Sequence, residues 1–576
     1  LFVALAAACK GKIEDDPSSY APSTNRRDRS ASANPASNQD TAPTGNDAPA
    51  KTDPYPDQPV DVAKPPAQVD PAMCDGVVDV GSTPLRRLTS AEYDHAVSDV
   101  FGVPGSATGL AIDERIDGVF ASNRSSSVAP VQMRQYLDAG EAVAARVNVA
   151  SLVACDRAKD GDPACAKRFV EAVGRRAYRR PLQPEESTRL QMLFSQEATI
   201  DGYEAGLRLV VQTLAQSPSF LYHVELLDPG TAVSNGNARV SAFPLASRLS
   251  FFLWSSGPDD ALLDAAARGD LNSAAGLSAQ VSRMLEDPRA QRGIESFHSQ
   301  WLGLGRLDTA SRDPKVFPEW NATLVTSLRN ESTKFADYVI RNQQGNLLNL
   351  LTAPFSFPSG AGRSIRSVLG AASDSPDMLE PTQAKGLLTQ PAFLAAFAHT
   401  NQTSPILRGR AMRERFFCQP LPDPPPNVAA VAPPLADNLT TRERYAMHRT
   451  ANGACFGCHR LIDDLGFALE HYDAIGRFRE RENNKPIDST GVLAETDING
   501  PVDGVSELAD RMITSKQVAG CYATQWLRYA LGRTESDADQ CSLDRLRSSF
   551  TSTTNVRDLL IAIASSDAFV RQRIEE

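Results

Sequence analysis

Cys455, Phe456, Gly457, Cys458 and His459 follow one another directly. Two thiols three positions apart fall on one helical turn, and an imidazole comes on the next residue. That is the C-x-x-C-H spacing at which c-type haem is attached: the thiols reach the two vinyl groups of one porphyrin and the imidazole comes under the iron. A redox dithiol also uses C-x-x-C, but it calls for a preceding strand and a βαβ setting, and the residues before Cys455 are the polar RTANG run. Zinc would need more ligands, and no second close Cys or His pair follows. A disulfide across two residues is the remaining structural alternative. The expectation is one covalent haem c on Cys455 and Cys458, with His459 as an iron ligand.

The ring nitrogen of His459 that faces away from the iron should donate to a carbonyl or carboxylate, which fixes the tautomer and raises basicity. Asp463 and Asp464 are within reach. Leu461, Ile462, Leu465, Phe467, Ala468 and Leu469 can wall the haem edge, and such burial raises the reduction potential. The sixth ligand stays open. Met512 lies at a separation where small c-type cytochromes place an axial methionine, yet in SELADRMITSKQ it suits the apolar side of a helix equally well. Met447, His448 and His471 are alternatives, and an iron with a vacant position would turn the chemistry toward peroxide or oxygen. His471 and Tyr472 also read as ordinary half-buried residues, and His95, His223 and His298 as satisfied surface histidines. There is no G-x-S-x-G, H-E-x-x-H, Walker loop or dinucleotide fingerprint in the chain.

The elements that must position this motif are mainly α. In LRRLTSAEYDHAVSDVFG (85–102), Thr89 and Glu92 form a capping box, Leu88 and Tyr93 a hydrophobic staple, and Tyr93, Ala96, Val97 and Val100 one apolar stripe. Helical patterns continue along the chain, and FPLASRLSFFLWSS (243–256) is too apolar for a solvated helix, so it should be central. Period-two alternation is scarce. CQPLPDPPPNV, from Cys418 to Val428, reads as a stiff polyproline strut between modules. RLVVQTLAQSPSF (208–220) and RDLLIAIASSDAF (557–569) echo each other, either as two independent helix ends or as a duplicated unit. The expected organisation is a multi-helical body with modules at 76–150, 151–235 and 236–375, a haem-attachment module at 376–490 and a C-terminal helical module at 491–576.

The N-terminal residues LFVALAAAC form an apolar run too short to span a bilayer. They read as a signal-peptide remnant (1–9) ending in a lipobox with Cys9 as the lipidated residue, although Ala6 stands where such motifs usually carry Leu. Residues 10–75 have almost nothing to bury and read as a disordered tether. Of nine cysteines, Cys9 is set aside for lipid and the 455/458 pair for haem. The others suit disulfides in an exported protein: Cys155 with Cys165 across a polar loop, Cys521 with Cys541 around one helix, and Cys74 with Cys418 by elimination. The net charge of −11 excludes a general nucleic-acid partner, since binding phosphates wants a basic face.

Several stretches resemble the secreted multi-module proteins of planctomycetes and myxobacteria built from the domain-of-unknown-function families 1587, 1595, 1592, 1588 and 1585. These are residues 85–102, FVEAVGRRAYRRPLQPEE (169–186), SPSFLYHVEL (217–226), FPLASRLSFFLWSSGPDDALL (243–263), SPILRGRAMRERFFCQPLPDPPPNV (404–428), CFGCHRLIDDLGFALEHYDAIGRFR (455–479) and VDGVSELADRMITSKQVAGCYATQWLRYALGR (502–533). The resemblance implies a haem motif on Cys455, Cys458 and His459 and an envelope location, with no established activity.

The leading expectation is an envelope-anchored c-type cytochrome, held to the periplasm, outer membrane or cell surface only by its lipid, and exchanging electrons with a redox partner protein. A haem enzyme of peroxidase or oxygenase type, with a small-molecule substrate bound by the helical body, is the second reading. An envelope scaffold with structural haem is the third.

Overall fold

A computed structural model describes residues 74, 76, 78, 80–124, 128–343, 345–366, 376–423, 432–446 and 456–574. Cys9, most of the tether, Cys455, Met447, His448 and the prolines Pro424, Pro425 and Pro426 lie outside the described residues. The chain divides into Leu1–Pro56 and Asp57–Glu576, and every described residue belongs to the second unit.

Thr89 starts the first helix as the sequence predicts: its hydroxyl accepts from the Glu92 N–H (3.2 Å) and the Glu92 carboxylate accepts from the Thr89 N–H (2.8 Å). Helices α1 to α5 follow at Ser90–Phe101, Pro130–Arg146, Asp162–Tyr178, Pro184–Asp201 and Tyr203–Ala215. Then come α6 at Ala242–Trp254, α7 at Asp260–Arg268, α8 at Ala274–Glu286, α9 at Ala290–Trp301 and α10 at Ala322–Asn342. The last six are α11 at Pro405–Phe416, α12 at Phe456–Phe467, α13 at Gly504–Met512, α14 at Lys516–Leu531, α15 at Gln540–Thr553 and α16 at Val556–Ser565. Shorter helical turns join them. Strands among the described residues are short and antiparallel, notably β1 (Asn237–Arg239), β2 (Thr490–Leu493), β3 (Gly500–Asp503) and β4 (Arg571–Arg573), with β2 paired to β3 and β1 to β4. The mainly α expectation holds.

The apolar stripes gather into two large cores rather than one per module. Tyr93, Val97, Phe169, Val211 and Phe220 belong to a first core built by α1 to α5. Trp254, Phe297, Trp301, Phe335, Phe393 and Trp526 belong to a second, larger one. Helix α6 is the wall between them. Every residue from Leu245 to Trp254 is buried, and adjacent rings part company, Phe251 entering the first core and Phe252 the second. This is why the segment is apolar all round.

The echo between 208–220 and 557–569 is a repeated way of closing a core. After α5, Ser217 caps a short helix, Pro218–Leu221, that buries Phe220, and the chain then pairs back on the segment before α1 (Leu88 N–H to Leu221 O, 2.8 Å; His223 N–H to Arg86 O, 2.9 Å). After α16, Ser566 precedes Asp567–Val570, Phe569 is buried, and β4 pairs with β1 just before α6. A buried arginine locks each turn: Arg179 donates to Phe220 O (3.0 Å) and Arg248 to Phe569 O (2.6 Å). Helix, serine turn, phenylalanine, returning strand and arginine all recur, which favours the duplicated unit.

Three disulfides are present among the described residues. Cys155–Cys165 closes the polar loop as expected. The other two pairings are corrected: Cys521 bonds Cys418, and Cys541 bonds Cys74. Cys521 and Cys541 sit on α14 and α15, and each faces a distant segment instead of its sequence neighbour. Cys521 meets the chain leaving α11, while Cys541 meets the start of the described chain across a separation of 467 residues. Three disulfides are compatible with an extracytoplasmic location. No described helix is long and apolar enough to cross a membrane.

Candidate haem-attachment site

Helix α12 carries Cys458 and His459 on its first turn. Phe456 to Arg460 are half-buried, and Leu461 to Phe467 are buried. The helix is seated on α11 at close range, and two glycines permit this, Gly409 inside α11 and Gly466 in the last turn of α12. A Cβ on Gly409 would come 1.8 Å from the Ile462 carbonyl oxygen, and one on Gly466 would come 1.9 Å from that of Pro405. A third glycine, Gly491 on β2, lets that strand approach the Asp464 backbone (2.8 Å from its Cβ position), and Asp464 Oδ2 accepts from the Val492 N–H at 2.8 Å.

Two arginines of α11 bind the backbone around α12. Arg413 donates to Leu461 O (2.8 Å) and to Ala494 O (2.7 Å), tying α12 to the loop after β2. Arg408 donates to Leu469 O (3.1 Å), Tyr472 O (2.8 Å) and Asp473 O (2.7 Å), holding the turn that follows α12. Burial pushes both guanidinium groups down to about 10, so both remain cations at neutral pH. Glu470 lies 3.7 Å from Arg408 and 3.1 Å from Arg479, and accepts from the Thr403 hydroxyl (2.7 Å); burial nevertheless raises its carboxyl.

His459 Nδ1 is 2.8 Å from Asp463 Oδ1, one helical turn on. The imidazole side chain is 18% exposed and the carboxylate 1%. The second oxygen of Asp463 has no hydrogen-bond partner among the described residues, so the buried carboxylate is directed at the imidazole. The contact sets the tautomer: Nδ1 carries the proton toward Asp463, and Nε2 is the nitrogen suited to a metal. Cys458 and His459 therefore fit a thioether link and an iron ligand, and a c-type haem would be held there together with Cys455.

The other sequence candidates take ordinary structural places. Met512 is 1% exposed inside the second core, on α13, which packs against Leu347–Thr352 and Gly386–Thr389; its position is that of the apolar side of a helix. Leu465, Ala468 and Leu469 join that core, Leu461 and Ile462 form a small cluster with Leu421, and Phe467 lies under the Arg442 guanidinium at 4.2 Å. His471 Nδ1 meets Arg479 O at 2.9 Å and its ring stacks on Phe478, while the Tyr472 hydroxyl donates to Gln383 O. His223 and His298 are not surface histidines, being 5% and 0% exposed; only His95 keeps partial exposure. Reading the sequence alone misses Arg408, Arg413, Gly409 and Gly466. The available signal is glycine inside helical patterns, which costs stability unless a backbone must come close.

Five protein-family models, each described as a protein of unknown function, match in succession. They are DUF1587 at residues 86–149, DUF1595 at 165–225, DUF1592 at 240–361, DUF1588 at 384–482 and DUF1585 at 500–569. All five expected families are present. The DUF1587 and DUF1595 stretches build most of the first core and the other three most of the second, with Ile116 and Phe120 of the DUF1587 stretch entering the second and Phe251 of the DUF1592 stretch entering the first. The C-x-x-C-H residues fall inside the DUF1588 match, together with α11 and its two arginines. No curated protein and no solved structure matches the chain.

Proposed function

We propose that this chain is an extracytoplasmic c-type cytochrome that passes single electrons through one haem held by Cys455, Cys458 and His459. The observation that carries the reading is the His459–Asp463 contact: a buried carboxylate orients an imidazole on the same half-exposed turn as the motif's second cysteine. When bound there, haem supplies reversible one-electron chemistry. The chain's own part is to orient and polarise His459 through Asp463, and to fix the whole turn through the glycine contacts and the arginines of α11. A rigid site reorganises little when its charge changes, which suits fast electron exchange.

Mass spectrometry of protein matured with c-type machinery tests the assignment. One haem bound through both thioethers is the expected result; a Cys455–Cys458 peptide recovered without haem overturns it. Membrane attachment through Cys9 is part of the same proposal, supported by the LFVALAAAC run and by disulfides that fit an exported protein. Labelled-lipid incorporation should vanish in Cys9→Ser, and undiminished labelling would remove Cys9 from the account. The net charge of −11 favours a basic redox partner, so electron transfer should slow as salt screens the attraction.

A further inference from the structure

A cleft of about 450 Å³ opens between the two cores, remote in sequence from the haem motif. Its walls come from α1, the 115–121 hairpin, and helices α6, α9, α10 and α14. Helix α9 divides its faces sharply. Ile294, Phe297, His298 and Trp301 are buried in the protein, whereas Arg292, Glu295, Ser296, Ser299 and Gln300 all line the cleft. A polar stripe held against a cavity is expensive unless water or a ligand satisfies it. The volume lies within the range of small-molecule sites, and a boundary between folding units is a common place for one.

The lining has two kinds of surface. Phe251, Phe252 and Tyr529 give an apolar floor, and Ser296, Ser299 and Thr333 offer hydroxyls above it. Four arginines contribute: Arg86, Arg115, Arg292 and Arg329. Arg86 is engaged by Glu92 (3.5 Å) and Arg292 by Asp99 (2.8 Å). Arg329 reaches Asp308 at 2.5 Å, yet its buried Nε–H has no acceptor among the described residues. Arg115 donates only to the Val119 carbonyl (2.9 Å) and has no carboxylate partner among the described residues. On the acidic side, burial raises the carboxyls of Asp113 and Glu295, while Glu92, paired with Arg86, is held well below its ordinary value by His223 and Arg86.

We propose that this cleft binds a small organic anion, an apolar body seated on Phe251, Phe252 and Tyr529 with a carboxylate or sulfonate taken by Arg115 and Arg329. An aromatic floor beside underused guanidinium groups suits such a ligand: the body gains burial and the oxyanion gains charge-assisted hydrogen bonds. The site stands on its own residues and does not depend on the haem assignment.

Calorimetry on the full chain with 1-naphthoate as probe, and 1-naphthalenemethanol as its neutral isostere, tests this. The naphthoate should saturate one site per chain and bind about tenfold or more tightly than the alcohol, as expected for one charge-assisted contact. The Arg115→Gln/Arg329→Gln variant should lose about tenfold in naphthoate affinity while the alcohol is little changed, and Ser299→Phe should block both. Arg115→Gln alters an exposed side chain and carries the test by itself should the double variant fail to fold. Equal binding of the two probes, unchanged naphthoate affinity in Arg115→Gln, or no saturable binding to the wild-type chain overturns the proposal.

Discussion

At the scale of single residues, Asp463 has the largest consequence. A carboxylate 2.8 Å from Nδ1 gives the imidazole partial anionic character and so favours the ferric over the ferrous state of a bound iron. In haem-loaded protein, Asp463→Asn should therefore raise the reduction potential by on the order of 60 mV, a tenfold change in the one-electron equilibrium; spectroelectrochemistry reads this directly, and an unchanged potential would show that Asp463 does not tune the iron. Met512 makes the opposite kind of prediction. Its side chain fills the second core, so Met512→Ala should cost about 2–5 kcal/mol in urea unfolding and leave the haem spectrum alone. Loss of a methionine–iron charge-transfer band in that variant would instead restore the sixth-ligand role.

Among the elements, the pairing of α11 with α12 is the decisive one. Backbone contact through Gly409 and Gly466 leaves no room for a methyl group. Gly409→Ala should part the helices and cost about 3 kcal/mol or more, with haem incorporation falling alongside the denaturant midpoint. A neutral outcome would mean that α12 can slide without harm. Much of the element scale was legible from the residues. The Thr89–Glu92 box, the all-apolar run that becomes α6 and the C-x-x-C-H turn each declare themselves by local spacing. The Asp463 contact was legible as well, because a side chain four residues along a helix has few places to go. Arg408 and Arg413 were hidden: an arginine in a helical pattern normally reads as solvated, and only the folded chain shows carbonyl groups with nowhere else to turn. Cys155–Cys165 was legible across its short loop, but the two long-range disulfides were misread for a similar reason, since sequence proximity favoured Cys521 with Cys541 and the tertiary arrangement did not.

For the molecule as a whole, buried histidines contribute to the response to acid. His298 is fully buried, with Nδ1 at 2.8 Å from Ile294 O and Nε2 at 3.1 Å from the Tyr522 hydroxyl, and burial lowers it from the ordinary 6.5 to about 4. Between those values the unfolded chain binds the proton and the folded chain does not. Its contribution is thus complete above about pH 6.5 and fades as the pH drops toward 4, by about 3 kcal/mol in total. His298→Gln should flatten that part of the stability profile in denaturant titrations at successive pH values; an identical acid slope in the variant would put the sensitivity elsewhere, with buried His223 the next candidate.

The Cys74–Cys541 bond has a mechanical meaning. It fastens the start of the described chain to α15, near the other end. When the protein is held from its N-terminal side, tension entering at Cys74 passes through sulfur into α15 and bypasses α1 to α5 entirely. Shear on a molecule held in that way would load α15 and the second core it helps to build while sparing the first, and reduction of the clasp would redirect the pull through the first core.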